Sequence, residues 1–182
     1  TGLSLMPQGF QKSIPPSDMC DLIEFITEAG SAHDATMNSQ VSQALQVIEL
    51  DEQRSTRLTA AACQIHGAKI RFEKEYENIG YWNDATEFVS WKVSVSEPMR
   101  VEIKMEYAVP TESEGNLCQV TLGTQTLSKK VKGTGNWATY RTLSLGALSI
   151  PEGESTIRLG ASGTIRQWLM DFRTLTLTPI SD

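Results

Sequence analysis

Phe88-Val89-Ser90-Trp91-Lys92-Val93-Ser94-Val95 is followed, across Glu97-Pro98, by Val101-Glu102-Ile103-Lys104-Met105-Glu106-Tyr107. In the first run Val89, Trp91, Val93 and Val95 alternate with other residues, and in the second Val101, Ile103, Met105 and Tyr107 do the same. Successive side chains of a strand point to opposite faces, so this period of two buries one face and leaves the other to solvent. The pattern recurs outward from here. Cys118, Val120 and Leu122 repeat it, then Leu127 and Val131, then Ile157, Leu159 and Ala161; Met170 and Phe172, then Leu175 and Leu177, close the series. Breakers separate the runs: Pro110 to Gly115, Gly123, Gly133-Thr134-Gly135, Pro151-Glu152-Gly153 and Ser162-Gly163. Short alternating strands at such spacing predict an all-β fold, an antiparallel jelly-roll β-sandwich over residues 58–182.

The stretch before it reads differently. Pro15-Pro16-Ser17-Asp18 is a helix start, with Ser17 as cap and Asp18 and Asp21 at the positive end of the dipole. Met19, Leu22, Ile23 and Ile26 fall on one helical face, and Gly30 ends the run. Residues 1–30 are thus expected to be a helical segment that needs a surface to dock on, in a second copy or elsewhere in a parent protein. Residues 31–57 read as a linker, with Met37, Val41, Leu45 and Ile48 also at helical spacing, and 51–57 polar throughout.

Composition narrows the function classes. The chain of 182 residues has a net charge of −6. Lys12, Arg54 and Arg57 face eight acids up to residue 57, so no basic face is available to displace phosphate counterions. A nucleic-acid partner is not expected. No stretch approaches the roughly 20 apolar residues of a transmembrane helix. Cys20, Cys63 and Cys118 form neither a disulfide framework nor a CxxC metal pair.

Several local patterns together carry a family resemblance. They are Ala62-x-Gln64-Ile65-His66-Gly67, Ile79-Gly80-Tyr81-Trp82, Thr134-Gly135-Asn136-Trp137, Leu143-x-Leu145-Gly146 and Leu169-Met170-Asp171-Phe172-Arg173-x-Leu175-x-Leu177, with the Phe88 run between them. In this order they resemble the galactose-binding-like sandwiches appended to glycoside hydrolases, such as the C-terminal module of α-L-fucosidases and carbohydrate-binding families six and thirty-five. The resemblance implies a non-catalytic, exported (periplasmic or extracellular) module that binds a carbohydrate or glycoconjugate. It implies ligand contacts at Trp82 and Trp137, with Tyr81, Asn83 and Tyr140 as a polar rim. An indole suits a sugar because the axial C–H face of a pyranose is apolar while its edge needs hydrogen bonds. The competing reading puts both indoles in the core, where Trp91 is assigned by its mid-strand position. Family six often has Asn two positions before the last-strand Asp; here Leu169 precedes Asp171.

The fold also implies a structural calcium, for which Glu73, Glu75, Glu77 and Asp171 are candidate ligands; the alternative is a solvated strand face from Glu73 to Glu77. Ser4-Leu5-Met6-Pro7, with the helix after it, resembles the tail of bacterial c-type cytochrome domains. No Cys-x-x-Cys-His exists to attach haem, so none is expected in this chain. Two further functions compete: an assembly domain of a larger redox or hydrolytic protein, and a hydrolase with an unrecognised site, since His66, the one histidine after residue 57, has no Gly-x-Ser-x-Gly elbow to accompany it. For the two-part organisation, deleting residues 1–30 should leave cooperative urea unfolding intact while changing docking or self-association, read by sedimentation. Loss of the folding transition itself would refute it.

Overall fold

A computed structural model describes residues 46–180. The expected helix at 17–29, the cytochrome-like segment around Met6 and the helical reading of 31–45 lie outside the described residues.

Among the described residues, twelve strands form two six-stranded sheets. The first has the order β1 (Val47–Glu49), β6 (Phe88–Val95), β11 (Gly153–Ala161), β8 (Leu117–Leu122) and β9 (Gln125–Lys130). Short β3 (Gln64–His66) shares the outer edge of β6 with β1. The second sheet runs β10 (Arg141–Ile150), β7 (Met99–Ala108), β12 (Asp171–Pro179), β5 (Asn78–Gly80) and β4 (Arg71–Glu73), and β2 (Thr56–Thr59) pairs with β12 beyond β5. All strand pairs are antiparallel except β1 with β6. The expected sandwich is therefore the observed one, with no α-helix among the described residues.

The alternating rows meet in one core. Val89, Trp91, Val93 and Val95 of β6 bury against Val101, Ile103 and Met105 of β7 and their counterparts on β8, β11 and β12. Trp91 stands edge-on to Phe172 at 5.6 Å, joining the two sheets, and its Nε1–H donates to the Thr59 carbonyl at 3.0 Å. An indole so enclosed contributes about 3–5 kcal/mol by the cost of truncating it. The jump of three residues from Phe172 to Leu175 has a structural cause. A β-bulge between Phe172 and Thr174 takes up the extra residue and returns Leu175 and Leu177 to the core face.

Two sequence expectations need correction. Residues 47–57 are not linker: Val47–Glu49 pairs with Lys92–Ser94, and Thr56 begins β2. A three-residue strand is too short to display alternation, and its register comes from β6. Residues 51–55 make only a turn, in which the Asp51 carboxylate accepts from the N–H groups of Gln53 and Arg54. The acids from Glu73 to Glu77 do not share a strand face either, because 74–77 is the turn between β4 and β5.

One buried carboxylate organises the approach to β4. Glu87 Oε1 accepts from the backbone N–H groups of Ala68 and Lys69 at 2.6 and 2.8 Å, and Oε2 accepts from that of Ile70 at 3.0 Å. Gly67 is required beside it, since a Cβ there would lie 2.5 Å from Glu87 Cδ. Glu87→Gln would replace one accepting oxygen with a donor facing N–H groups. Stability should fall by about 1–3 kcal/mol, read as a lower urea midpoint at unchanged m.

Candidate functional site

A cavity of about 590 Å³ opens at one end of the second sheet. Three chain segments converge there: the β4–β5 hairpin with the residues after it, the β9–β10 loop and the β11–β12 loop. The hairpin supplies Glu73, Tyr76 and Tyr81; the β9–β10 loop supplies Trp137 and Tyr140. Trp168 comes from the β11–β12 loop, and Asp171 and Arg173 from the start of β12. Among the described residues five large apolar side chains stand exposed, and four of them line this cavity: Tyr76 (52%), Tyr81 (44%), Trp137 (39%) and Trp168 (36%). Aromatic surface left in water costs free energy, and its concentration in one concavity marks a binding site.

Each wall is held by polar contacts behind it. Trp82 is wholly buried (0%), with its Nε1–H donating to the Glu87 carbonyl at 3.2 Å, and its own carbonyl accepts from Leu169 N–H at 2.7 Å. That bond ties the Tyr81 segment to the Trp168 loop. Tyr81 has a left-handed backbone, φ +61°, unfavourable for a bulky side chain and a common mark of a functional position. The Trp168 loop is fixed again by buried Asn116, whose Nδ2 donates to the carbonyls of Arg166 and Trp168 and whose Oδ1 accepts from Arg166 N–H. In the Trp137 loop, Thr134 exchanges backbone and hydroxyl bonds with Val109. The Asn136 carboxamide then accepts from Ala138 N–H and the Thr139 hydroxyl.

The polar part of the site is acidic and mixed with cations. The Glu73 and Asp171 carboxylates flank Gly80, where a Cβ would displace the Glu73 carboxyl. Asn78, buried beneath, donates from Nδ2 to Glu73 Oε2 at 3.1 Å, while its Oδ1 has no partner. Burial and then the Glu73 charge push Asp171 up to about 7. Two guanidinium groups cover aromatic faces: Arg71 lies 3.6 Å over Tyr81, and Arg173 3.4 Å over Tyr140. Arg173 Nε also donates to the Tyr76 carbonyl at 3.1 Å. Burial, then the Asp171 charge, raises the Tyr140 phenol.

The residues singled out from sequence divide clearly. Trp137, Tyr81 and Tyr140 share the cavity, and they do so with Glu73 and Asp171. Trp82 borders it only from within the core and has no exposed face on which a ring could stack. Asn83 is exposed and does not line the cavity; the next residue, Asp84, pairs with Lys69. Glu75 sits on the exposed hairpin turn, as does Glu77, and neither lines the cavity. Among the described residues no group of three or more His, Cys, Asp or Glu side chains converges as a metal site. The calcium expectation took Glu73, Glu75, Glu77 and Asp171 as a cluster of oxygen donors, and of these only Glu73 and Asp171 line the cavity. Leu169 is buried, so the cavity's polar groups come from Glu73, Asp171 and Arg173 instead of a last-strand amide. Tyr76 and Trp168 were missed. Trp168 follows a polar loop, five residues after Gly163, and the signal that could have found it is an unpaired aromatic between breaker and strand.

His66 stacks on Phe88 at 4.2 Å and its Nε2 is 2.8 Å from Ser90 Oγ, but among the described residues no carboxylate hydrogen-bonds its ring. Burial and Arg158 lower its pKa, which disfavours the imidazolium a triad must stabilise. Burial likewise pushes Cys63 up to about 12 and Cys118 to about 11, leaving both as inert thiols. No helix among the described residues is long and apolar enough to cross a membrane.

No protein-family profile and no curated protein matches the chain. Solved structures do match, at low identity. A family 35 carbohydrate binding module from Clostridium thermocellum shares 17% identity at a TM-score of 0.57, covering 68% of this chain and 97% of the module. CBM35 from Cellvibrio japonicus Abf62 shares 15% at 0.58, covering 69% and 93%. The mosquito-larvicidal Cry4Aa toxin from Bacillus thuringiensis shares 10% at 0.61, covering 75% of this chain but 25% of the toxin. The chain thus has the β-sandwich fold of these modules over nearly their whole length. The cytochrome resemblance of residues 4–26 gains no support from any comparison.

The raised Asp171 carries a stability signature. Its carboxyl returns to about 3.9 on unfolding, so between about 4 and 7 the folded state holds more protons. Its contribution therefore falls as pH rises through that window and is flat above it. Partial solvent screening limits the loss to on the order of 1 kcal/mol. Asp171→Asn should raise the melting temperature relative to wild type at pH 8 and leave it nearly unchanged at pH 4. Equal differences at both values would show that the carboxyl is not strained by Glu73.

Proposed function

We propose that residues 46–180 form a non-catalytic carbohydrate-binding module whose site is the cavity between the β4–β5 hairpin and the β9–β10 and β11–β12 loops. The observation that carries this reading is the convergence of four exposed aromatic side chains on one cavity of about 590 Å³. That volume lies in the range of small-ligand sites, roughly 300–1,000 Å³. Trp137 and Trp168 offer flat apolar faces for the C–H side of a sugar ring, and Glu73, Asp171 and Arg173 offer acceptors and donors for its hydroxyl edge. The walls are preorganised by Trp82, Asn116 and Thr134, so little side-chain entropy is lost on binding. Likeness of fold to family 35 modules supports the same reading. The non-catalytic part of the reading is supported by His66, which has no acid partner among the described residues, and by the two described thiols, which burial holds protonated. An exported setting accords with such a module.

Titration with a glycan panel, followed by tryptophan fluorescence, tests the proposal. A binding glycan should shift emission from Trp137 and Trp168. Trp137→Ala and Trp168→Ala should each weaken binding about tenfold, from the loss of one stacked ring. Trp82→Phe, which loses the bond to the Glu87 carbonyl, should lower stability and weaken binding less than the loss of either exposed indole, because it acts only by loosening the walls. Binding that survives the Trp137 and Trp168 substitutions together would remove this site from consideration.

A further inference from the structure

The floor of the cavity is rich in acceptors and poor in donors. Glu73 and Asp171 present two carboxyl groups of like charge, and neither forms an ion pair among the described residues. Asn78 is the one amide against them. Its Nδ2 donates to Glu73 and its side chain also hydrogen-bonds Asp171, so both acids share this one amide from the core side, outside the cavity lining. Two carboxyl groups of like charge side by side cost free energy, so the floor favours a group that brings protons or positive charge. The walls point the same way. Aromatic faces attract cations, and two of the five rings here already carry a guanidinium, Arg71 on Tyr81 and Arg173 on Tyr140. The indoles of Trp137 and Trp168 remain open.

We propose that the site selects an amino sugar with a free, protonated amine, its ammonium seated between Glu73 and Asp171 and its ring against Trp137 or Trp168. An ammonium has three donors and no acceptor, which matches the oxygens of two carboxyl groups that line the cavity. A sulfated or carboxylated sugar would meet the two acids and is excluded. An N-acetylated sugar offers a single N–H and no charge. Arg71, Arg173 and Glu106 also act on this neighbourhood. Both arginines are immobilised on aromatic faces, Arg173 also by Tyr76, so neither neutralises the floor at hydrogen-bond distance. The inference rests on the carbohydrate reading above.

The test compares tetramers of glucosamine, N-acetylglucosamine and glucose with the whole chain at pH 7 by calorimetry. The glucosamine tetramer should bind about tenfold or more tightly than the other two, the scale of one charge-assisted contact. Seating a cation beside Asp171 should also drive off its proton. The heat should therefore depend on the buffer's ionisation enthalpy, and more so for wild type than for Asp171→Asn, a difference that removes the amine's own titration. Glu73→Gln should cost the glucosamine tetramer about tenfold and the glucose tetramer less. If that variant fails to fold, the wild-type selectivity and proton release still decide. Equal affinity for the three tetramers, preference for the acetylated or neutral one, or binding that appears only with added calcium would each overturn the inference and leave the carbohydrate reading standing. Absence of binding to every tetramer and to a broad glycan panel would overturn both.

Discussion

The buried indole of Trp82 is the constraint on which the site depends. A tryptophan removed from water must find an acceptor for its N–H, and the Glu87 carbonyl supplies it. Glu87 is in turn held by three backbone N–H groups of residues 68–70. With Trp82 turned inward, the neighbouring Tyr81 is left at the surface in a left-handed backbone conformation. The Trp82 carbonyl then holds Leu169, and the residue before it, Trp168, faces out. One satisfied indole thus places an exposed aromatic on each of two loops that are distant in sequence. Tyr81 and Trp168 meet edge to face at 6.4 Å as the visible result.

The electrostatics of the cavity follow from the same convergence. Glu73 ends β4 and Asp171 begins β12, strands separated in the sheet only by β5, whose Gly80 and Asn78 lie between the two carboxyls. A side chain at position 80 would force the acids apart. Glycine lets them approach, and burial with mutual repulsion then keeps Asp171 partly protonated near neutrality. Arg173 offsets only part of this, because stacking on Tyr140 holds its guanidinium short of an ion pair with either acid, as Tyr81 holds that of Arg71.

Much of the fold was legible because its longest strands alternate strictly. Burial of Val89, Trp91, Val93 and Val95 needs nothing beyond a strand with one covered face, and the core contains them all. Short elements were not legible. Val47–Glu49 is a strand only because β6 offers it a free edge, and the turn at 74–77 interrupts a pattern of acids that reads as continuous. The two indoles beside turns show the limit most sharply. Trp82 and Trp137 have equivalent local sequence contexts, yet one is sealed in the core and the other stands 39% exposed.

The sequence by itself determined the two-layer sandwich, its core rows and two of the aromatic segments that border the cavity, since period-two patterning and turn residues act over a few positions. Tertiary structure alone decided which aromatic faces the cavity, that Trp168 and Tyr76 join Trp137 there, and that Glu73, Asn78 and Asp171 come together. Those outcomes depend on hydrogen bonds spanning many residues, such as Asn116 to the Trp168 carbonyl and Leu169 to Trp82. No local window of sequence contains both partners of such a bond, so the chain must fold before the site exists.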